Sequence, residues 1–246
     1  MDNFDDFAKQ YGINPDSIPS VKTVQNEGGF FEHKVGEYQV ILLDLVEKWQ
    51  IEGEDKKKKD VPKGTPGAKG FAMHRMFIIK DPDGQLVDDK LQLKPDVSYG
   101  RAIFQQYVSY DPHRQFGNKA VYSGLFISDQ PNLAVVQGSG NDYQVHIGNL
   151  AFYAGAAASF SLTKKTSKGE AKNAFIEEGS LTLIKNELTP EIYKKRQEVV
   201  AMLIKQLEDL KEKEAKERKS KSTDSADYSP PAEDNEEDLL SKYKMS

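Results

Sequence analysis

The chain has no cysteine among its 246 residues, which excludes disulfides, cysteine-ligated zinc and thiol nucleophiles. It has no apolar run near the roughly 18 residues that a membrane span needs. Its opening, "MDNFDDFAKQYG", is acidic and lacks the basic start and apolar core of a secretory signal, so a cytoplasmic location is expected. Histidine is scarce: His33, His74, His113 and His146 lie on separate segments, and no two have the short spacing that sets a pair of imidazoles on one helix face for a metal. Neither a Gly-x-Ser-x-Gly elbow nor a Gly-x-x-x-x-Gly-Lys phosphate loop occurs. "GSGND" at 138–142 has the glycines of a phosphate nest with no lysine behind it, and reads as a turn. "DPDG" at 81–84, with Asp88 and Asp89, lacks the oxygen spacing and closing Glu of a calcium loop. The expectations are no metal, no cofactor and no enzymatic activity.

What is present is charge, sorted along the chain. The formal net charge is −5. Residues 1–47 hold 3 basic against 9 acidic side chains, and residues 220–246 hold 3 against 7. Residues 48–118 reverse the balance with 13 against 10. Acidity is pushed to the ends and the middle is neutral to basic.

Residues 1–34 read as a lead-in, and a domain rich in strands follows over 35–188. "VGEYQVILLDLVEKWQI" at 35–51 is apolar on both alternating faces from Val40 to Val46 apart from Asp44, the pattern of a strand covered on two sides. "FAMHRMFIIK" at 71–80 is a second strand, and "DPDG" a tight turn leading to a weaker strand, "QLVDDKLQL". In "SYGRAIFQQYVSY" at 98–110, Ile103, Phe104, Tyr107 and Val108 fall on one helical face, predicting a short helix. Further strands are expected at Ala120–Ser128, Leu133–Gln137 and about Tyr143–Leu162. The last contains "AGAAAS", whose small residues permit a close backbone approach, a bend or a helical turn. "AFIEEGSLTLI" reads as a hairpin. No internal repeat is present.

A C-terminal helix is expected over 189–219, with Thr189 as N-cap, Pro190 in the first helical position and Glu191 at the positive end. Val200, Leu203, Leu207 and Leu210 form a short seam for the barrel or for a second copy of the chain. The Ser-, Pro- and acid-rich residues 220–246 read as a disordered acidic tail. About seven strands with a short inserted helix make the expected fold mainly β, an OB-like Greek-key barrel. A β-sandwich fits the same strand count.

The most suggestive stretch is "EDKKKKDVPKGTPGAKG" at 54–70. Its glycines and prolines leave Lys56, Lys57, Lys58, Lys59, Lys63 and Lys69 free to follow a phosphate backbone. Trp49 precedes this loop and Phe71 follows it, with Arg75 and Phe77 on Phe71's side of the strand. Cations for phosphates beside flat rings for bases are what single-strand binding requires. Lys164, Lys165, Lys168 and Lys172 form a second basic loop, expected to be the other lip of a groove. Tyr107, Tyr110 and Arg114 are further candidates. Glu233, Asp234, Glu236, Glu237 and Asp238 lie on the tail, where a tethered polyanion competes with nucleic acid for the lysines.

A barrel of this size, a C-terminal helix and an acidic tail together resemble the single-stranded DNA-binding proteins of bacteriophages. The resemblance covers residues 35–246 and is architectural. It implies a sequence-tolerant single-stranded DNA-binding protein of replication, recombination or repair, in the host cytoplasm if viral. It also implies replication or recombination proteins as partners through the tail. Two features depart from the pattern: the chain finishes "DLLSKYKMS" rather than in acids and an aromatic residue, and it has no cysteine for a zinc finger. The alternative is a β-rich virion structural or assembly protein without nucleic-acid binding.

Overall fold

The computed structural model describes residues 31–53, 58–111, 116–139, 142–164, 166–167, 170–171 and 174–224. The protein is mainly β. Its strands are β1 (Gly36–Glu52), β2 (Lys58–Asp60), β3 (Lys69–Asp81), β4 (Gly84–Gln85), β5 (Ile103–Ser109), β6 (Val136–Gln137), β7 (Gln144–Val145), β8 (Ala157–Thr163), β9 (Thr166–Ser167), β10 (Glu170–Ala171), β11 (Phe175–Ile176) and β12 (Thr182–Leu183). Its helices are α1 (Tyr99–Ala102), α2 (Phe116–Tyr122) and α3 (Pro190–Asp224), with 3-10 turns at Pro131–Leu133 and Ile147–Tyr153.

β1 is the centre of one antiparallel sheet. β8 pairs with its first half and β3 with nearly its whole length; β11 and β12 flank β8, while β4 and β5 flank β3. Val40, Leu42 and Leu43 are buried on both faces of β1, as its unbroken apolar run requires. Among the described residues no strand pairing joins the two outer edges, so closure into a barrel is not seen.

One irregularity governs the rest of the sheet. Leu42 pairs with Met76 but Leu45 with His74, so β1 spends three residues where β3 spends two. This bulge adds one residue to β1 and swaps which of its side chains point to each face. Asp44, inside the bulge, receives two hydrogen bonds from Arg75, both 2.6 Å.

The "DPDG" turn forms as expected. Asp81 accepts from the Asp83 amide at 2.9 Å and from Arg101 at 2.7 and 3.1 Å. Burial works to raise the Asp81 pKa, but Arg101 and the turn amides outweigh it and hold the carboxyl below its usual range.

Several expected elements differ. The helix proposed for 98–110 is only four residues long; Ser98 caps it, and Ile103–Ser109 pairs along β3 as β5. A long strand edge offering seven pairings overrides the helical spacing. The strand expected at Ala120–Ser128 is α2 followed by turns, and "QLVDDKLQL" folds back through the single bridge between Val87 and Leu93. Only Val136–Gln137 of the strand expected at Leu133–Gln137 is extended, and Tyr143–Leu162 divides into β7, a 3-10 turn and β8. "AFIEEGSLTLI" makes no hairpin with itself, because β11 and β12 each pair with β8.

α3 starts where expected, with the Thr189 hydroxyl accepting from the Ile192 amide at 3.3 Å. It runs 35 residues, about 50 Å at 1.5 Å per residue, and lies across the sheet. Val200, Leu203 and Leu207 are buried there and Leu210 is partly buried, so the apolar seam packs against the core of the chain. Gln206 bonds the backbone of Leu91 and Leu93, and Glu214 accepts from the Tyr99 amide at 2.6 Å. "AGAAAS" supplies a close approach: Gly155 has φ +79°, and a Cβ there would lie 2.5 Å from Cβ of Arg196. No helix among the described residues is long and apolar enough to cross a membrane.

Candidate nucleic-acid interface

Directly paired residues of an antiparallel sheet share a face. Past the bulge, Val46 pairs with Met73, Lys48 with Phe71 and Gln50 with Lys69; β5 continues these rows with Tyr107 opposite Met73 and Gln105 opposite Arg75. These residues share one face, over which α3 passes. Between them lies a cavity of about 200 Å³, whose walls include Lys48, Phe71, Arg75, Gln105, Glu208 and Lys211. Phe71 and Tyr107 form a ring pair with centroids 5.1 Å apart and planes 30° apart. Tyr107 is 44% exposed.

The opposite face carries Leu45, Glu47 and Trp49 against His74, Ala72 and Gly70. Trp49 therefore does not share a face with Phe71. Its ring meets Tyr110, with centroids 6.0 Å apart. Both rings close over Gly70, where a Cβ would lie 2.7 Å from Tyr110 and 2.8 Å from Trp49. Trp49 Nε1 is buried with no hydrogen-bond partner among the described residues, and Tyr110 Oη is buried beside Glu47. Burial, and then the charge of Glu47, pushes the Tyr110 pKa up. Farther along the same face, His74 is fully buried with its Nδ1 2.9 Å from Oη of Tyr122. Burial lowers the His74 pKa to about 4.

The cations divide likewise. Lys58 pairs with Glu52 and Lys69 with Gln50, placing both on Phe71's face; Lys59 pairs with Ile51, on the other. All three are exposed. Lys63 sits 3.4 Å from Glu47, a carboxylate almost removed from solvent, and so belongs to Trp49's side. Arg75 is held by Asp44. Burial works to lower the Arg75 pKa, but the Asp44 hydrogen bonds and charge raise it above its ordinary value, and its Nε and Nη2 donors are taken. Phe77 is fully buried in the core and faces no ligand.

Among the described residues, Lys164 does not lie across a groove from Lys58 and Lys59. Lys164 follows β8, whose Leu162 pairs with Gly36 at the start of β1, whereas Lys58 and Lys59 pair with its end. The 17 residues of β1 separate them by roughly 50 Å at about 3.3 Å per residue. Lys164 is moreover paired with Glu32. Lys56, Lys57, Arg114, Lys165, Lys168, Lys172 and the tail residues Glu233, Asp234, Glu236, Glu237 and Asp238 lie outside the described residues.

Sequence reasoning missed Lys48, Gln105, Glu208 and Lys211. Lys48 was within reach, since it neighbours Trp49 and alternation sets the two on opposite faces. Glu208 and Lys211 share a helix face by their spacing, but no local signal tells that this face meets Phe71. No protein-family profile, curated protein or solved structure matches this chain.

Proposed function

We propose that this chain is a non-enzymatic, sequence-tolerant single-stranded DNA-binding protein of replication, recombination or repair. The supporting observation is the accessible Phe71–Tyr107 pair, 5.1 Å between centroids, with Lys48 and Lys69 on the same face and Lys211 across the groove. Stacking on such rings is worth roughly 1–3 kcal/mol per base and suits any sequence. Lys48, Lys58 and Lys69 would neutralise phosphates along the rim. In this reading the sheet and α3 provide the binding channel that an OB-like barrel supplies with its own face and loops. The acidic tail would regulate access and recruit replication or recombination proteins, in the cytoplasm of the cell or of a host.

The test is fluorescence anisotropy of labelled oligo-dT with the full chain at two salt concentrations. Micromolar or tighter binding is expected, with the slope of log affinity against log salt steepening by about 0.7 per phosphate neutralised. Flat anisotropy at low salt would overturn the proposal and favour an assembly role.

A further inference from the structure

The charges lining the groove under α3 are not those of a simple phosphate channel. Asp44 takes the Nε and Nη2 donors of Arg75 through two 2.6 Å bonds, so the positive charge that Arg75 brings to the groove is already balanced by a carboxylate. Glu208 adds a second carboxylate, close enough for its field to act on Arg75. The remaining cations sit toward the margins: Lys48 lies 3.9 Å from Asp60, and Lys211 stands 5.9 Å over the Tyr99 ring. A carboxylate repels phosphate and accepts from N–H donors. A strand entering this groove therefore points a base inward and leaves its phosphates on the lysine rim. The cavity of about 200 Å³ is smaller than the roughly 300 Å³ at which small-molecule pockets begin. That is room for one planar base without its phosphate.

We infer that this groove is a base-reading subsite that prefers guanine, with the carboxylate of Glu208 as the reading group. The inference rests on the single-stranded DNA reading above. The exposed edge of unpaired guanine carries two adjacent donors, N1–H and N2–H, which match the two oxygens of one carboxylate. Guanine O6 beside them accepts from a cation, and Lys211 stands three residues along the same helix from Glu208, on the same side. Adenine and cytosine set a ring nitrogen lone pair beside their single amino group, which a carboxylate repels. Thymine offers one N–H between two carbonyls. Phe71 forms a flat wall for whichever base enters.

The experiment titrates the full chain into labelled dT 12-mers with and without isolated guanines, spaced so that they cannot form four-stranded structures. The expected result is about tenfold tighter binding of the guanine-bearing strand. Glu208→Gln should abolish that preference without weakening dT binding, since it removes a negative charge from a polyanion site. Glu208 is exposed on its helix, so the variant keeps the wild-type thermal midpoint; Lys164→Ala, at the far end of β1, is a companion variant that should retain the preference. Equal wild-type affinity for the two strands overturns base reading and leaves single-strand binding standing, as does a preference that survives Glu208→Gln. Binding of neither strand overturns both. Guanosine monophosphate at the same molar concentration as the strand should displace nothing; displacement would assign the site to a free nucleotide and overturn the inference.

Discussion

The two faces of β1 and β3 are built from similar residues and have opposite fates. Each carries aromatic rings and lysines near the same end of the sheet. On one, Trp49 and Tyr110 lock over Gly70 and Lys63 neutralises a nearly buried Glu47. On the other, Phe71 and Tyr107 stay accessible along a groove under α3. The contrast teaches that residue type does not make an interface. A ring becomes available when the element above it bridges the sheet and leaves a gap.

The contrast can be sharpened first on the open face itself, where Phe77, on the same side of β3 as Phe71, is buried in the core. Phe77→Ala should cost about 3–5 kcal/mol of stability, lowering Tm by roughly 10 °C in a chain this long. Weaker oligonucleotide binding at unchanged stability would instead place Phe77 in the site.

Acid should act through the sealed face. The His74 pKa lies near 4 when folded and about 6.5 when unfolded. The unfolded chain binds more protons between those values, so this stability is present above pH 6.5 and is lost as pH falls toward 4. The loss is about 3 kcal/mol at 1.36 kcal/mol per unit, read by urea unfolding at stepped pH. His74→Asn should reduce the slope in that window, leaving the smaller part due to His33, whose pKa burial also lowers. Asp81, depressed below its ordinary value, acts lower, as pH falls from the usual carboxylate range.

On the open face, Tyr107→Ala should weaken oligo-dT binding by about 1–3 kcal/mol, roughly 5- to 150-fold, while changing stability by less than about 0.5 kcal/mol. A smaller effect separates the two ends of β1. Lys48→Ala should flatten the salt slope by about 0.7, and Lys164→Ala should leave it unaltered. The smallest expected response is that of Trp49 emission, which should hold steady through the titration because its ring lies on the far face. Strong quenching would transfer the site to Trp49 and Tyr110.

Much of the fold was legible, and the reasons differ by element. β1 declares itself by an apolar run from Val40 to Val46 broken only by Asp44, and β3 by an apolar stretch that ends at the "DPDG" turn. The "DPDG" turn and the Thr189–Pro190 helix start are written in residues that act on their own neighbours. β5 was misread because Ile103, Phe104, Tyr107 and Val108 satisfy a helical spacing, and only pairing with β3 chose the strand. α2 failed for the converse reason: a short apolar stretch carries no period of its own. β11 and β12 look like partners in sequence and found β8 instead.

The candidate site was legible in kind and not in placement. Phe71, Tyr107 and Lys69 are named from the sequence, and the structure sets all three on one face of the sheet. Strict alternation from Leu42 would have set Trp49 beside Phe71; the extra residue between Leu42 and Leu45 shifts it to the other side.

What the chain alone determines is whatever a residue does to its near neighbours: where turns fall, where α3 begins, which strands carry apolar side chains on both faces, and where charge accumulates. Tertiary structure decided the register, the bulge, the seat of α3 and hence which ring meets which cation. Those depend on contacts between residues far apart in the chain, and a one-residue shift in pairing exchanges every side chain between the two faces.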